Sequence, residues 1–407
     1  MKKNKKIIYK NFIQKEYLKS IYNKTISQNY NKISKKIFLN LDKTEDPFHF
    51  LSKKFKFNFK QKDFNKFKKF KNVIVIGMGG SILGAEAIHC FLKKKIKKNF
   101  LFFDDIDQDK LKKIKIQQNL NKILFIVISK SGGTIETLLN FFALKIIKKN
   151  SKNIIIISEK NKGPLHLISE KMKLFHIEHR KNTGGRFSVL TETGIIPALL
   201  MGINLPQLRK NLLIHFQNKN KKFLKESSIK LTNLIKNKKF KNLIFLNYVP
   251  ELDKFLYWNQ QLIAESLGKN GIGFLPLIST VPKDYHSLLQ LYLDGPRDKI
   301  FYIFSMNNNN NFKIKTKTFG KKLHFLNNKS PSQIKAVQKN ALVQVLKKNK
   351  IPFREFLIDN DLNEKILGEL FSYFMIETAI VGKLAKVNPF NQPAVEQVKI
   401  NTRRLLN

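Results

Sequence analysis

The sequence predicts an α/β protein built on two doubly wound, mostly parallel sheets with helices on both faces and helical extensions around them. Three observations lead there. Short apolar, β-branched runs alternate with stretches of helical period along most of the chain. Two of those runs end in turns of glycine and hydroxyl residues that open directly into a helix. The length, 407 residues, is long for one hydrophobic core and suits two.

Taken in order, residues 1–45 read as a lysine- and asparagine-rich helical lead-in. A first α/β unit spans 46–182, with strands near 73–76, 99–103, 123–128, 153–157 and 173–177. Thr183-Gly184-Gly185-Arg186-Phe187-Ser188 breaks that rhythm and opens a connecting helical segment over 183–240. A second α/β unit covers 241–387, with strands near 243–246, 272–278, 300–305, 323–326 and 353–358. Asn307 to Asn311 reads as a polar, solvent-exposed turn. A long helical pattern runs from Asn363 to about Lys386 and is broken by Asn388-Pro389-Phe390-Asn391-Gln392-Pro393. A last helix starts near Ala394, so that 388–407 form a helical C-terminal tail. The two units are not obvious sequence repeats.

The two glycine turns carry the chemistry of anion binding. Val73 to Ile76 leads into Gly77-Met78-Gly79-Gly80-Ser81, and Leu124 to Ile128 into Ser129-Lys130-Ser131-Gly132-Gly133-Thr134. Glycines let the backbone approach an anion closely, while a helix N-terminus offers unpaired N–H donors and partial positive charge. Neither turn is a full G-x-G-x-x-G or a P-loop. Either alone reads equally as an ordinary strand-to-helix turn with hydroxyl caps. Side by side at the carboxyl edge of one sheet, they would cradle one phosphate.

Four further segments carry reactive side chains. Gln261 and Glu265 stand one helical turn apart, ahead of Gly268, Gly271 and Gly273, which end the helix. A carboxylate so placed suits a general base, although a glutamate taken singly is usually a surface residue. His286 falls at the start of another helix; histidine moves protons near neutral pH, and a lone one is equally a structural or solvated residue. Arg186 follows two glycines in a tight turn and is placed to face a ligand anion. Gln392 and Lys399 are two helical turns apart and share one face if both are helical. Lys399 in isolation reads as one more solvated lysine. His176 and His179 are close in sequence, but no carboxylate or cysteine set completes a metal site, and no metal is expected.

Composition narrows the function. The formal charge is +48, yet only seven of the basic residues are arginine; the rest are lysines scattered among Asn, Ile and Phe. Those four residues share A/T-rich codons, so base composition accounts for the charge without a binding face. Diffuse lysine lacks the arginines and stacking aromatics of specific nucleic-acid readers, and it predicts only salt-sensitive adhesion. An apolar fraction of 42% argues against disorder, and stretches such as Ile195 to Met201 are too short to span a membrane. Cys90 is the only cysteine, so no disulfide forms within the chain, and it reads as a small buried hydrophobe. A cytoplasmic enzyme fits these limits.

From Val73 to Lys399, these segments taken in order resemble the phosphoglucose isomerase family. Gly77-Met78-Gly79-Gly80-Ser81 and Ser129-Lys130-Ser131-Gly132-Gly133-Thr134 look like its two phosphate turns. Gly184-Gly185-Arg186-Phe187-Ser188, Gln261 to Lys269, His286-Ser287 and Gln392-Pro393-Ala394-Val395-Glu396-Gln397-Val398-Lys399 match its remaining motifs in family order. The resemblance implies two sugar-isomerase (SIS) α/β sandwich domains, usually in a homodimer, and no cofactor. It implies interconversion of glucose 6-phosphate and fructose 6-phosphate through a cis-enediol, in glycolysis and gluconeogenesis. In that reading Glu265 shuttles the proton and Arg186 stabilises the enediolate, while His286, from the partner subunit, opens the ring with Lys399. Gly80, Ser81, Ser129, Lys130, Ser131 and Thr134 hold the phosphate, and Gln261 and Gln392 position the sugar.

Two departures stand out. Gly132-Gly133 replaces a more hydroxyl-rich turn and is similar to relatives that act on both glucose and mannose 6-phosphates. Asn391 stands where an aspartate is common. The first departure makes a dual phosphoglucose/phosphomannose isomerase the alternative; a non-catalytic sugar-phosphate sensor built from the same domains is a further one.

Overall fold

Strands covered by helices on both faces need no polar side, and Ile123–Ile128 is apolar throughout and buried at every position. The computed structural model of the chain describes residues 6–17, 20–117, 119–160, 162–307, 312–359 and 361–406. The strands among them form two five-stranded sheets. The second sheet takes in the N-terminal strand β1 (Ile7–Phe12). The first holds β2 (Asn72–Gly77), β3 (Asn99–Phe103), β4 (Ile123–Ile128), β5 (Ile154–Ser158) and β6 (Phe175–Glu178), in the order β3-β2-β4-β5-β6. All of its pairings are parallel.

The rest of the second sheet is β7 (Asn242–Asn247), β8 (Leu275–Thr280), β9 (Lys299–Asn307) and β10 (Phe353–Asp359), and its order is β8-β7-β9-β10-β1. This sheet is parallel except for β1, which runs antiparallel to β10. The two sheets therefore share one strand order, with β1 in the place that β6 holds in the first. The fold is a pair of doubly wound α/β sandwiches, as the alternating pattern predicts.

Three elements differ from the sequence expectation. The lead-in is helical over Ser20–Asn40, but Ile7–Phe12 is a strand, because the open edge of β10 offers its backbone partners. The run near 323–326 is a 3₁₀ turn, Lys321–Leu326, whose Phe325 is 69% exposed, and it pairs with no strand among the described residues. The strand expected over 272–278 starts later, at Leu275, since Gly271 and Gly273 take positive φ in the turn before it. Of the polar turn at Asn307 to Asn311, Asn307 ends β9 and residues 308–311 lie outside the described residues.

Helices lock the two sheets together. The helix Glu364–Leu384 is buried on almost every side and starts where Asn363 accepts a hydrogen bond from Ile366 N at 3.1 Å. It packs with the helix Asp253–Leu267 and with Phe245, Tyr302 and Phe356 of the second sheet in the largest apolar cluster. Inside that cluster Arg354 pairs with Glu377 at 2.8 Å, and Tyr302 and Tyr373 complete the network. Cys90 is only half-buried, with Sγ 3.8 Å from the Pro250 carbonyl oxygen. Among the described residues no helix is long and apolar enough to cross a membrane.

Candidate active site

The parallel register pairs Gly77 with Ile128, so the turns after β2 and β4 emerge side by side. This is the point where the strand order reverses, with β3 on one side of β2 and β4 on the other, and open α/β sheets bind ligands at that crevice. In the first turn Gly79 adopts φ +52°, and a Cβ there would sit 2.8 Å from Gln261 Nε2. A Cβ on Gly80 would lie 2.2 Å from the Gly185 carbonyl carbon, so glycine alone fits between this turn and the 3₁₀ segment Gly185–Leu190. Ser81 closes the turn, its N–H donating to Met78 O at 3.1 Å. In the second turn Ser129 and Thr134 share a hydroxyl hydrogen bond of 2.9 Å, and Ser131 Oγ accepts from Gly133 N at 3.3 Å.

Lys130 is the exception. Its ammonium donates to Lys181 O at 2.7 Å and lies 3.6 Å from Glu159, so the side chain is committed away from the cradle and its backbone remains beside it.

Glu265 sits in the last turn of the helix Asp253–Leu267, which Gly268 ends by donating its N–H to Ala264 O at 2.9 Å. Its carboxylate is held on both oxygens. Gln261 Nε2 donates to Oε1 at 2.9 Å and Arg186 Nη1 donates to Oε2 at 2.9 Å. Arg186 is buried, and every arm of its guanidinium is used: Nε donates to Ser266 Oγ at 2.8 Å, Nη1 to Gln392 Oε1 at 2.6 Å, and Nη2 to the carbonyls of Pro389 and Asn391 at 2.7 and 3.0 Å. Burial pushes this guanidinium below its usual range, opposed by Glu265, and the bond network keeps a charge there. Trp258 Nε1 donates to the Arg186 carbonyl at 3.1 Å and fixes the backbone from below. Gln261 Oε1 is buried without a partner among the described residues, an acceptor left for a hydroxyl.

A cavity of about 710 Å³ opens beside this cluster, lined by Glu265, Lys269, Gly271, Asn391 and Gln392 among others. That volume accommodates a phosphorylated hexose. Lys269 lies in its wall, donating to Ser266 O at 3.3 Å and Asn388 O at 2.5 Å. Burial, reinforced by the nearby Arg186 and opposed by Glu265, brings its ammonium down to about 8.

One chain therefore assembles Glu265, Arg186, Gln261 and Gln392 next to both glycine turns. It does not bring in His286 or Lys399. His286 is exposed at the end of the turn Lys283–His286 and makes no hydrogen bond or ion pair among the described residues. Lys399, on the exposed helix Ala394–Leu406, bonds Glu396 Oε1 at 2.8 Å. Gln392 precedes that helix, so the two do not share a helical face; the Pro393 break sends Gln392 inward to Arg186 instead. No group of three metal-ligating side chains occurs among the described residues.

Two contacts had no signal in the sequence. Ser266 and the carbonyls around Pro389 are what hold Arg186. Arg403, four residues beyond Lys399, donates to the Gly133 carbonyl at 3.1 Å and so ties the last helix to the second turn.

The sequence model of the phosphoglucose isomerase family matches residues 42–274. A glucose-6-phosphate isomerase of Methanocaldococcus jannaschii is 33% identical over 349 residues, 83% of this chain and 84% of the relative. One of Mycoplasmopsis synoviae is 33% identical over 362 residues, covering 83% of each. The crystal structure of a glucose-6-phosphate isomerase from Chlamydia trachomatis superposes with a TM-score of 0.70 at 18% identity, over 92% of this chain and 74% of that one, a likeness of fold. By the family match and these relatives, this chain belongs to the phosphoglucose isomerase family.

Proposed function

We infer that the chain interconverts glucose 6-phosphate and fructose 6-phosphate. The observation that carries this reading is Gln261, which leaves no room for a Cβ on Gly79 of the first glycine turn on one side and bonds Glu265 on the other. The anion cradle and the base are thereby held at a fixed separation by a single side chain. With the phosphate at the turns around Gly80, Ser81, Ser129, Ser131 and Thr134 and the Lys130 backbone, C1 and C2 of an open-chain sugar lie toward Glu265. Its carboxylate takes the proton from C2 of the aldose and returns it to C1, leaving a cis-enediol in between. Arg186 stabilises the developing enediolate through its fixed positive charge, since its five N–H groups are already given to Glu265, Ser266, Pro389, Asn391 and Gln392. Gln261 and Gln392 accept and donate to the sugar hydroxyls.

Ring opening falls to His286 and Lys399. Because His286 is exposed and contacts none of these residues in one chain, it is proposed to enter the site of a partner subunit in a homodimer, and Lys399 to exchange Glu396 for the sugar. The reaction is a step of glycolysis and gluconeogenesis, and the chain is proposed to act in the cytoplasm.

The test is a coupled assay from fructose 6-phosphate, reading glucose 6-phosphate through NADP reduction. Glu265→Gln is expected to lower kcat by about 10²–10⁴-fold with sugar-phosphate binding retained; unchanged turnover would remove the assigned base. The Gly132-Gly133 turn favours a second activity on mannose 6-phosphate, and production of fructose 6-phosphate from mannose 6-phosphate, lost in the same variant, decides it.

A further inference from the structure

The shared strand order means that the second sheet has its own reversal point, between β7 and β9, equal in topology to that between β2 and β4. The register carries the equivalence down to single residues. Gly77 pairs with Ile128 in the first sheet and Asn247 with Phe304 in the second. Ser129 follows Ile128, and Ser305 follows Phe304. Ser305 thus holds the position of the cradle hydroxyl.

A cavity of about 260 Å³ lies at this place, at the carboxyl ends of β7 and β9. It is lined by Ser305, Tyr248, Pro250 and Glu251, and by Ser332 and Lys335 on one face of the helix Pro331–Lys348. Ser305 is only 5% exposed, and its Oγ has no hydrogen-bond partner among the described residues. A buried hydroxyl without a partner in a polar cavity is a group waiting for one. The charges nearby decide which kind. Lys339 is neutralised by Glu355 at 3.1 Å, and Glu251 faces Lys94 at 3.9 Å. Lys335 has no ion-pair partner among the described residues and supplies the uncompensated positive charge.

We propose that this crevice is a second, non-catalytic binding site for the phosphate group of a small phosphorylated metabolite, held by Ser305, Ser332 and Lys335. Pro250, without an N–H, stands in the turn where the first site has glycines, so side chains replace backbone donors. The lining carboxylate, Glu251, faces Lys94 rather than an arginine and a glutamine as Glu265 does, and the site is proposed for binding alone.

Isothermal titration of the full chain with glycerol 3-phosphate, and separately with inorganic phosphate, tests this at about 0.15 M chloride to screen the diffuse lysine charge. Two sites per chain are expected. Ser305→Ala and Lys335→Ala should each weaken one of them by at least about tenfold, leaving fructose 6-phosphate turnover and thermal midpoint unchanged. Ser129→Ala should weaken only the other. The probe that titrates the second site more tightly tells whether an ester or free phosphate is its ligand. A single site per chain, or two sites both indifferent to Ser305 and Lys335, overturns the proposal whatever the outcome for the isomerase.

Discussion

Arg186 shows how little of a residue's work its neighbours in sequence describe. Two preceding glycines suggested an arginine aimed at an anion; the fold gives it five hydrogen bonds to Glu265, Ser266, Pro389, Asn391 and Gln392. Gly80 makes a sharper point. Its missing Cβ is what lets the first phosphate turn touch Gly185, so Gly80→Ala must push the two segments apart. The expected result is a rise in KM for fructose 6-phosphate of at least about tenfold with a lower kcat, since the turn and Arg186 move together; initial-rate kinetics check it.

His215 carries a pH effect at the same scale. Burial brings it down to about 4 from 6.5, and its Nδ1 has no partner among the described residues. The unfolded chain then binds a proton between those values that the folded chain does not. Stability is therefore complete above about 6.5 and is lost as the pH falls toward 4, by about 1.4 kcal/mol per pH unit within the window. His179 behaves alike. Thermal midpoints measured from pH 7 to 5 are expected to fall, and His215→Gln to fall less steeply over that range.

Among the elements, the helix Glu364–Leu384 and the strand β10 meet at a buried charge pair. Arg354 and Glu377 are both almost fully buried, 0% and 3% exposed at the side chain. Removing one partner leaves the other charged and unpaired, so Glu377→Gln is expected to cost about 3–5 kcal/mol, read as a lowered denaturant midpoint. The helix itself was legible in the sequence because a cap at Asn363 and a long apolar pattern are local signals. β1 was not. Ile-Ile-Tyr-Lys-Asn-Phe has strand-forming residues, but whether it pairs depends on β10, some 340 residues away, leaving an edge open. The opposite error at Lys321–Leu326 has the same cause, since pairing is decided by distant strands and this run joins none among the described residues.

At the scale of the whole molecule, the proposed homodimer has a direct test. If each site combines Glu265 of one chain with His286 of another, two inactive variants complement. Mixing and refolding Glu265→Gln with His286→Ala chains is expected to restore up to about a quarter of wild-type activity, because half of randomly paired dimers carry one intact site of two. Activity no greater than the sum of the separate variants would place His286 outside the shared site.

The sequence by itself determined the alternation of strand and helix, the two glycine turns and the helical pairing of Gln261 with Glu265, because each is set by neighbours within a turn or a strand length. Tertiary structure alone decided that Gln392 turns inward to Arg186 while Lys399 stays on an exposed helix. It also decided that β1 completes the second sheet and that Ser305 answers to Ser129. Those outcomes depend on which backbone edges, cavities and charges the packed chain brings together, and no local pattern of residues encodes that.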